Sequence, residues 1–182
     1  MPHETIAFDA AYALEPHELR VRPEWIDYNG HLNLAYYIVA FDQGVDKSFE
    51  RIGIGLDYRK TDELGTFAAE THTLYEREVK ENDPLRIVSH ILAVDDKRMH
   101  MFLEMFHAEE GFRAAAQEIL YLHVDLKIRR VAPWPAYVRE KIDAMAALCA
   151  RNPTPAGVGR KIAMPPPKVQ TVMVREGGPS TP

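Results

Sequence analysis

Residues 25–53 read WIDYNGHLNLAYYIVAFDQGVDKSFERIG, a polar turn that runs straight into a long apolar stripe. Leu34, Tyr37, Ile38, Phe41, Val45, Phe49 and Ile52 recur at three- and four-residue steps, the period of a helix that buries one face. Asn33 is placed to cap that helix and Gly53 to stop it. At 1.5 Å per residue it is about 30 Å long, with an apolar face wide enough for a whole sheet to cover.

The flanking sequence supplies the sheet. Upstream, HELRVRPEW (17–25) sets Leu19 and Val21 two apart between charges, which is strand alternation, and Pro23 suits a strand end. Downstream come FAAETHTLYEREV (67–79), PLRIVSHILAV (84–94), RMHMFLEMFH (98–107) and FRAAAQEILYLHVDL (112–126). The breaks at ENDP, VDDK and AEEG are short clusters of turn formers, so the four segments read as an antiparallel meander. Both faces of the third segment are apolar, which fits a sheet packed on a helix and on a partner. Residues 134–149, WPAYVREKIDAMAALC, read as a short closing helix. The expected fold is α+β, a five-stranded antiparallel sheet wrapped round one long central helix. The expected limits are an N-terminal segment at 1–16, a domain at 17–150 and a Pro-rich tail at 151–182. Seven of the 13 prolines follow residue 151, and the tail is expected to be disordered or to lie as an extended arm on a neighbouring subunit.

Composition narrows the function classes. The 182 residues carry 22 Lys plus Arg against 27 Asp plus Glu, a formal charge of -5 without long like-charge runs. That gives no footprint for nucleic acid. No stretch nears the roughly 20 apolar residues of a membrane span. The N-terminal residues show no basic and apolar leader pattern, and Cys149 stands alone, so a reducing cytoplasm is expected. His72, His90, His100, His107 and His123 lack metal-ligand spacing, and a glycine-rich phosphate cradle is absent. Neither metal nor cofactor is expected.

The turn carries the chemistry. Asp27, Asn29, Gly30, His31 and Asn33 pack a carboxylate, two amides, a glycine and an imidazole into seven positions. The first turn of a helix offers unpaired N–H groups and the positive end of the dipole. Gly30 allows close approach of a ligand. Asp27 could attack, or activate water, beside a carbonyl whose oxygen rests on those N–H groups, which is acyl-transfer geometry.

The run D-Y-N-G-H-L-N, with a tyrosine three positions on, resembles the signature of hotdog-fold acyl-CoA thioesterases of the 4-hydroxybenzoyl-CoA thioesterase type. WIDYNGHLN, AAETHTLYER, DPLRI, DDKRMHMFLEMFHAEEG and QEILYLHVD also resemble the thioesterases that accompany carnitine dehydrogenase, among them betainyl-CoA thioesterases. The resemblance spans about residues 17 to 130. It implies the element order above, a small acyl-CoA substrate such as betainyl-CoA in carnitine catabolism, and a homodimer or homotetramer with active sites at subunit interfaces. By position, it makes Asp27 the nucleophile or general base and the Leu34 N–H the donor to the thioester carbonyl. Asn29, His31 and Asn33 would shape the loop and orient water or substrate. LNLAYY departs from the pattern of many relatives after the turn, and some related subfamilies use a helix carboxylate, for which Asp42 and Glu70 are the candidates.

Trp25, Tyr28, Tyr36 and Tyr37 fall within thirteen positions. Aromatic faces hold quaternary ammonium groups at about 0.5 to 2 kcal/mol each, and Asp42 or Glu70 would add charge. Structural uses compete throughout: Asp27 as a cap, His31 as a hydrogen-bonded loop residue, the aromatics as core. Arg59, Lys60, Lys97 and Arg98 are generic candidates for the nucleotide of CoA. A non-catalytic acyl-CoA binding module and a hotdog acyl-CoA hydratase or dehydratase are the alternatives.

Overall fold

The computed structural model describes residues 14–164. The apolar VQTVMV stretch of the expected arm and nearly all of the N-terminal segment lie outside them. In order, the elements are β1 (His17–Arg20), a 3-10 turn (Pro23–Trp25), α1 (Leu34–Ile52), α2 (Leu56–Asp62) and β2 (Leu64–Tyr75). They continue with β3 (Pro84–Val94), β4 (Arg98–His107), β5 (Arg113–Asp125), β6 (Arg130–Val131) and α3 (Ala136–Cys149). The sheet runs β1-β3-β4-β5-β2, antiparallel at every pair, with the two-residue β6 added to β5. This is the expected hotdog arrangement of five main strands curled round one helix.

The long helix begins and ends as its sequence requires. Asn33 Oδ1 accepts from the Ala35 N–H at 3.0 Å. At the far end Gly53 takes a left-handed φ of 90° and donates to Glu50 and Phe49 carbonyls, a conformation that favours glycine over residues with a Cβ. Phe41, Val45, Phe49 and Ile52 are buried against Ile87, Met99, Met101, Leu103 and Met105 of the concave face. Each such side chain contributes roughly 1.5 to 3 kcal/mol by leaving water. His123 is the most deeply buried of the polar residues among those described. Its Nδ1–H donates to the Ala132 carbonyl at 2.9 Å and its Nε2 meets the Tyr58 hydroxyl at 2.7 Å; burial lowers its pKa, against the opposing pull of the Ala132 and Pro133 carbonyls and Asp125.

Three expectations shift. Pro23 opens a 3-10 turn instead of closing a strand. The strand expected at 67–79 runs from Leu64 to Tyr75. There the N–H groups of Glu76 and Arg77 converge on Ala114 O at 2.9 and 3.1 Å, which turns the chain out of the ladder. Helix α2 was not expected, and with seven residues and only Tyr58 buried it is too short to show a period.

The convex face is covered in part by the chain itself. Beyond α3, Gly159 N–H donates to Glu118 at 2.7 Å and the Ala156 carbonyl accepts from Arg113 at 2.8 Å. Val88, Phe102, Phe106 and Ala116 are buried on that side. The described part of the Pro-rich tail thus lies on its own sheet.

Candidate active site

The turn before α1 is closed by its own backbone. Asp27 N–H donates to His31 O and Gly30 N–H to Asp27 O, both at 3.0 Å. Asp27 Oδ1 accepts from the Asn29 N–H at 2.8 Å; its other oxygen has no partner among the described residues. Gly30 sits at φ 80° with no atom near the place of a Cβ. That backbone is the reason for glycine here, since an L side chain costs roughly 1–2 kcal/mol at such angles. An isolated bridge between Ile26 and Leu32 closes the loop's neck. Two further bonds, Asn33 N–H to Trp25 O and Leu32 N–H to Val79 O, both 2.9 Å, tie it to its surroundings.

At the helix start, Asn33 uses its side chain on Ala35 and its carbonyl on Tyr36. The Leu34 N–H is therefore left with no acceptor among the described residues, at the positive end of a 19-residue helix. Its side chain is exposed, so the donor lies open. The Tyr75 hydroxyl donates to Leu34 O at 3.4 Å, joining the end of β2 to the first turn of α1. His31 Nε2 meets Glu78 at 3.0 Å.

The four expected aromatics divide. Trp25 is buried and stacks on Tyr36, centroids 5.7 Å apart, with the Arg22 guanidinium 5.1 Å from the Trp25 ring. Tyr37 is buried edge-to-face on Tyr75 at 5.2 Å and donates to Arg77 O at 3.4 Å. Burial raises the phenols of both Tyr37 and Tyr75. Tyr28 stands 97% exposed. Within one chain these rings make two packing pairs and a solvent-exposed ring, not a cage.

The two spare carboxylates also separate. Asp42 lines a groove with Asp46, Phe49 and Tyr121 on one side of the β2 edge. Glu70 lines a different depression with His72, His100 and Glu118 on the other. Of the generic cations, Arg98 is engaged by Asp95 at 2.7 Å. Arg59 joins Arg129, Arg130, Phe67 and Leu122 round a third groove of about 440 Å³. No described helix is long and apolar enough to cross a membrane.

The sequence profile described as the thioesterase-like superfamily matches residues 21–142. The chain belongs to this superfamily. Thioester hydrolysis is its class of reaction. It is similar to the betainyl-CoA thioesterase of Pseudomonas aeruginosa, with 35% identity over 84% of this chain and 96% of that protein. It also matches the fused L-carnitine dehydrogenase/betainyl-CoA thioesterase of Rhizobium meliloti, 31% identical over 86% of this chain but only 31% of that longer protein. Among solved structures, a Staphylococcus aureus protein in complex with CoA superposes with a TM-score of 0.78 and 28% identity, covering 82% of this chain and 94% of that one. A candidate thioesterase from Pseudomonas putida KT2440 gives 0.71 and 31%, covering 82% and 95%.

In this thioesterase-like chain, sequence reasoning missed Tyr75, Glu78 and Val79 as supports of the loop. Tyr75 ends β2 and Glu78 and Val79 follow it by a few residues, and their trace in sequence was a strand read four residues too long at that end.

Proposed function

We propose that this acyl-CoA thioesterase acts on a small acyl group, betainyl foremost, with Asp27 as the reacting carboxylate and Leu34 N–H as the donor to the thioester oxygen. One observation carries this: an open first N–H on a long helix, preceded by a carboxylate fixed on a tight turn. In the general-base route, Asp27 takes a proton from water and the resulting hydroxide adds to the carbonyl carbon. Negative charge gathers on the oxygen facing Leu34 N–H, the C–S bond breaks, and the proton passes from Asp27 to the departing thiolate. In the nucleophilic route the carboxylate itself adds, expelling the thiolate and forming an anhydride that water then opens. A preorganised oxyanion donor is worth about 2.7 to 4 kcal/mol in either route. The betainyl group is favoured by the Pseudomonas aeruginosa relative, itself a betainyl-CoA thioesterase.

The assembly follows from β2. It is an edge strand of twelve residues, exposed from Phe67 to Thr71 and without a neighbour on its far side among the described residues. Such an edge is a template for a second strand, and antiparallel pairing of two copies through it makes the homodimer proposed here, two of which would form the homotetramer. The groove of Arg59, Arg129 and Arg130 offers guanidinium groups to the phosphates of CoA.

The test is free thiol release over betainyl-, acetyl-, 4-hydroxybenzoyl- and medium-chain acyl-CoA, for the wild type and Asp27→Asn. Betainyl-CoA is expected to give the highest kcat/KM, and the substitution to lower kcat by at least about 10³-fold. Equal turnover of acetyl- and betainyl-CoA would sink the betainyl assignment; no thiol from any thioester would sink the whole reading.

A further inference from the structure

The Leu64 end of β2 holds a groove that the reaction just described leaves unused. It opens to about 580 Å³ between α1, α2 and the start of β2, and Asp42, Asp46, Phe49, Arg59, Thr66 and Tyr121 are among its walls. Glu50 also reaches it but is engaged by Lys47 at 2.9 Å. Asp42 and Asp46, one helical turn apart on α1, are in no ion pair or hydrogen bond among the described residues. Phe49 and Tyr121 meet edge-to-face with centroids 5.1 Å apart. Tyr121 is only 6% exposed, yet its hydroxyl has no hydrogen-bond partner among the described residues. The ring is buried, and the hydroxyl is left to face the groove that Tyr121 lines.

The three features fit one kind of ligand. Two unpaired carboxylates call for a cation. Apart from Glu50, Arg59 and Thr66, the remaining walls, among them Val45, Ile54, Leu56 and Leu126, are apolar, and no three His, Cys, Asp or Glu side chains among the described residues are grouped to hold a metal ion. A cation clothed in methyl groups suits aromatic and aliphatic walls. The idle Tyr121 hydroxyl can donate to an oxygen of the same ligand. Burial first, and then Asp42 and Asp46, raise that phenol above its ordinary value, so it remains a donor at neutral pH.

Position decides how the groove is used. Asp42 and Asp46 lie eight and twelve residues beyond Leu34, about 12 and 18 Å along the helix axis. In a betainyl thioester a single methylene separates the carbonyl from the ammonium, so this groove cannot serve the Asp27 of its own chain. Antiparallel pairing centred on the exposed stretch 67–71 brings the Tyr75 end of one copy to the Leu64 end of the other. We infer that each acyl site is completed in trans, with Asp27 and Leu34 N–H from one copy and a trimethylammonium pocket of Asp42, Asp46, Phe49 and Tyr121 from its partner. This rests on the hydrolase and dimer proposed above.

Binding tests the pocket apart from the reaction. In the Asp27→Asn protein, calorimetry gives the Kd of betainyl-CoA and of its uncharged isostere, tert-butylacetyl-CoA, before and after adding Asp42→Asn and Asp46→Asn. The charged ligand is expected to weaken by roughly ten-fold or more and the isostere by less than two-fold. Equal shifts, no shift, or no binding of betainyl-CoA would overturn the pocket. A protein that discriminates in binding but releases no thiol keeps the pocket and loses the hydrolase; one that releases thiol without discriminating does the reverse. Complementation tests the trans arrangement. Heterodimers of an Asp27→Asn chain and an Asp42→Asn/Asp46→Asn chain hold one intact composite site and are expected to exceed both parents in kcat/KM for betainyl-CoA. Heterodimers no more active than the better parent would overturn it.

Discussion

The two ends of β2 are equipped from different parts of the chain. At the Tyr75 end the main chain provides nearly everything: the open N–H of Leu34, the turn that holds Asp27, the carbonyl of Val79 that anchors Leu32. At the Leu64 end the side chains provide it, with Asp42, Asp46 and Phe49 from α1, Arg59 from α2 and Tyr121 from β5. A backbone device must be contiguous in sequence, whereas a side-chain pocket can be gathered from anywhere. On the function proposed above, one end polarises a bond whatever the acyl group, and the other chooses the group.

The sharpest way to break that contrast is to compare kinetic signatures. Asp27→Asn is expected to act on kcat, by at least about 10³-fold, and Asp46→Asn on KM, by roughly ten-fold. Steady-state kinetics on betainyl-CoA reads both. Should Asp46→Asn lower kcat as far as Asp27→Asn does, the division of labour is wrong.

Gly30→Ala probes the backbone device alone. The added methyl meets nothing within 4 Å, so the cost is conformational, about 1–2 kcal/mol at this φ. A lower Tm together with a lower kcat is expected, and an unchanged kcat at lower Tm would show that the turn need not hold its shape for reaction. Asn33→Ala is milder. It releases the Ala35 N–H and is expected to cost about 1 kcal/mol of stability in denaturant titration, with Asn33→Asp restoring most of it. An undiminished Asn33→Ala would mean that neighbouring contacts, not the cap, fix the start of α1.

The same contrast explains what was legible in the sequence. The stripe from Leu34 to Ile52 and its limits at Asn33 and Gly53 came from a period and two end signals, all local. The order of one strand, a long helix and a meander followed from turn clusters between apolar runs, and the resemblance of the turn made it a hotdog. Asp27 and Gly30 could be singled out because they share one short stretch, and the resemblance then pointed to the Leu34 N–H seven positions on from Asp27. Asp42 was singled out too, but beside Trp25 and the tyrosines of the turn; Asp46, four residues on along the same helix, carries no mark that sets it apart from a solvated carboxylate, and Tyr121 lies on a distant strand. Tyr28, close to Asp27 in sequence, stands in solvent, because nearness along a turn does not fix the direction of a side chain.

The smallest expected effect tests whether the two ends titrate separately. Burial first, and then Asp42 and Glu50, raise the Asp46 carboxyl above its ordinary 3.8, with Lys47 opposing. Facing it across the groove are Arg59 from α2 and the phenol of Tyr121 from β5, which burial raises above its ordinary value. A carboxyl with a raised pKa takes its proton earlier as pH falls, so the groove loses negative charge before an ordinary surface aspartate would. The preference for betainyl-CoA over tert-butylacetyl-CoA is therefore expected to shrink on acidification, beginning above the ordinary carboxylate range. Asp42→Asn removes one of the charges that raise Asp46 and is expected to move the loss of preference to lower pH. If both substrates instead lose affinity in parallel across that range, the titrating group belongs to the part of the site they share, and the groove does not read the charge of the acyl group.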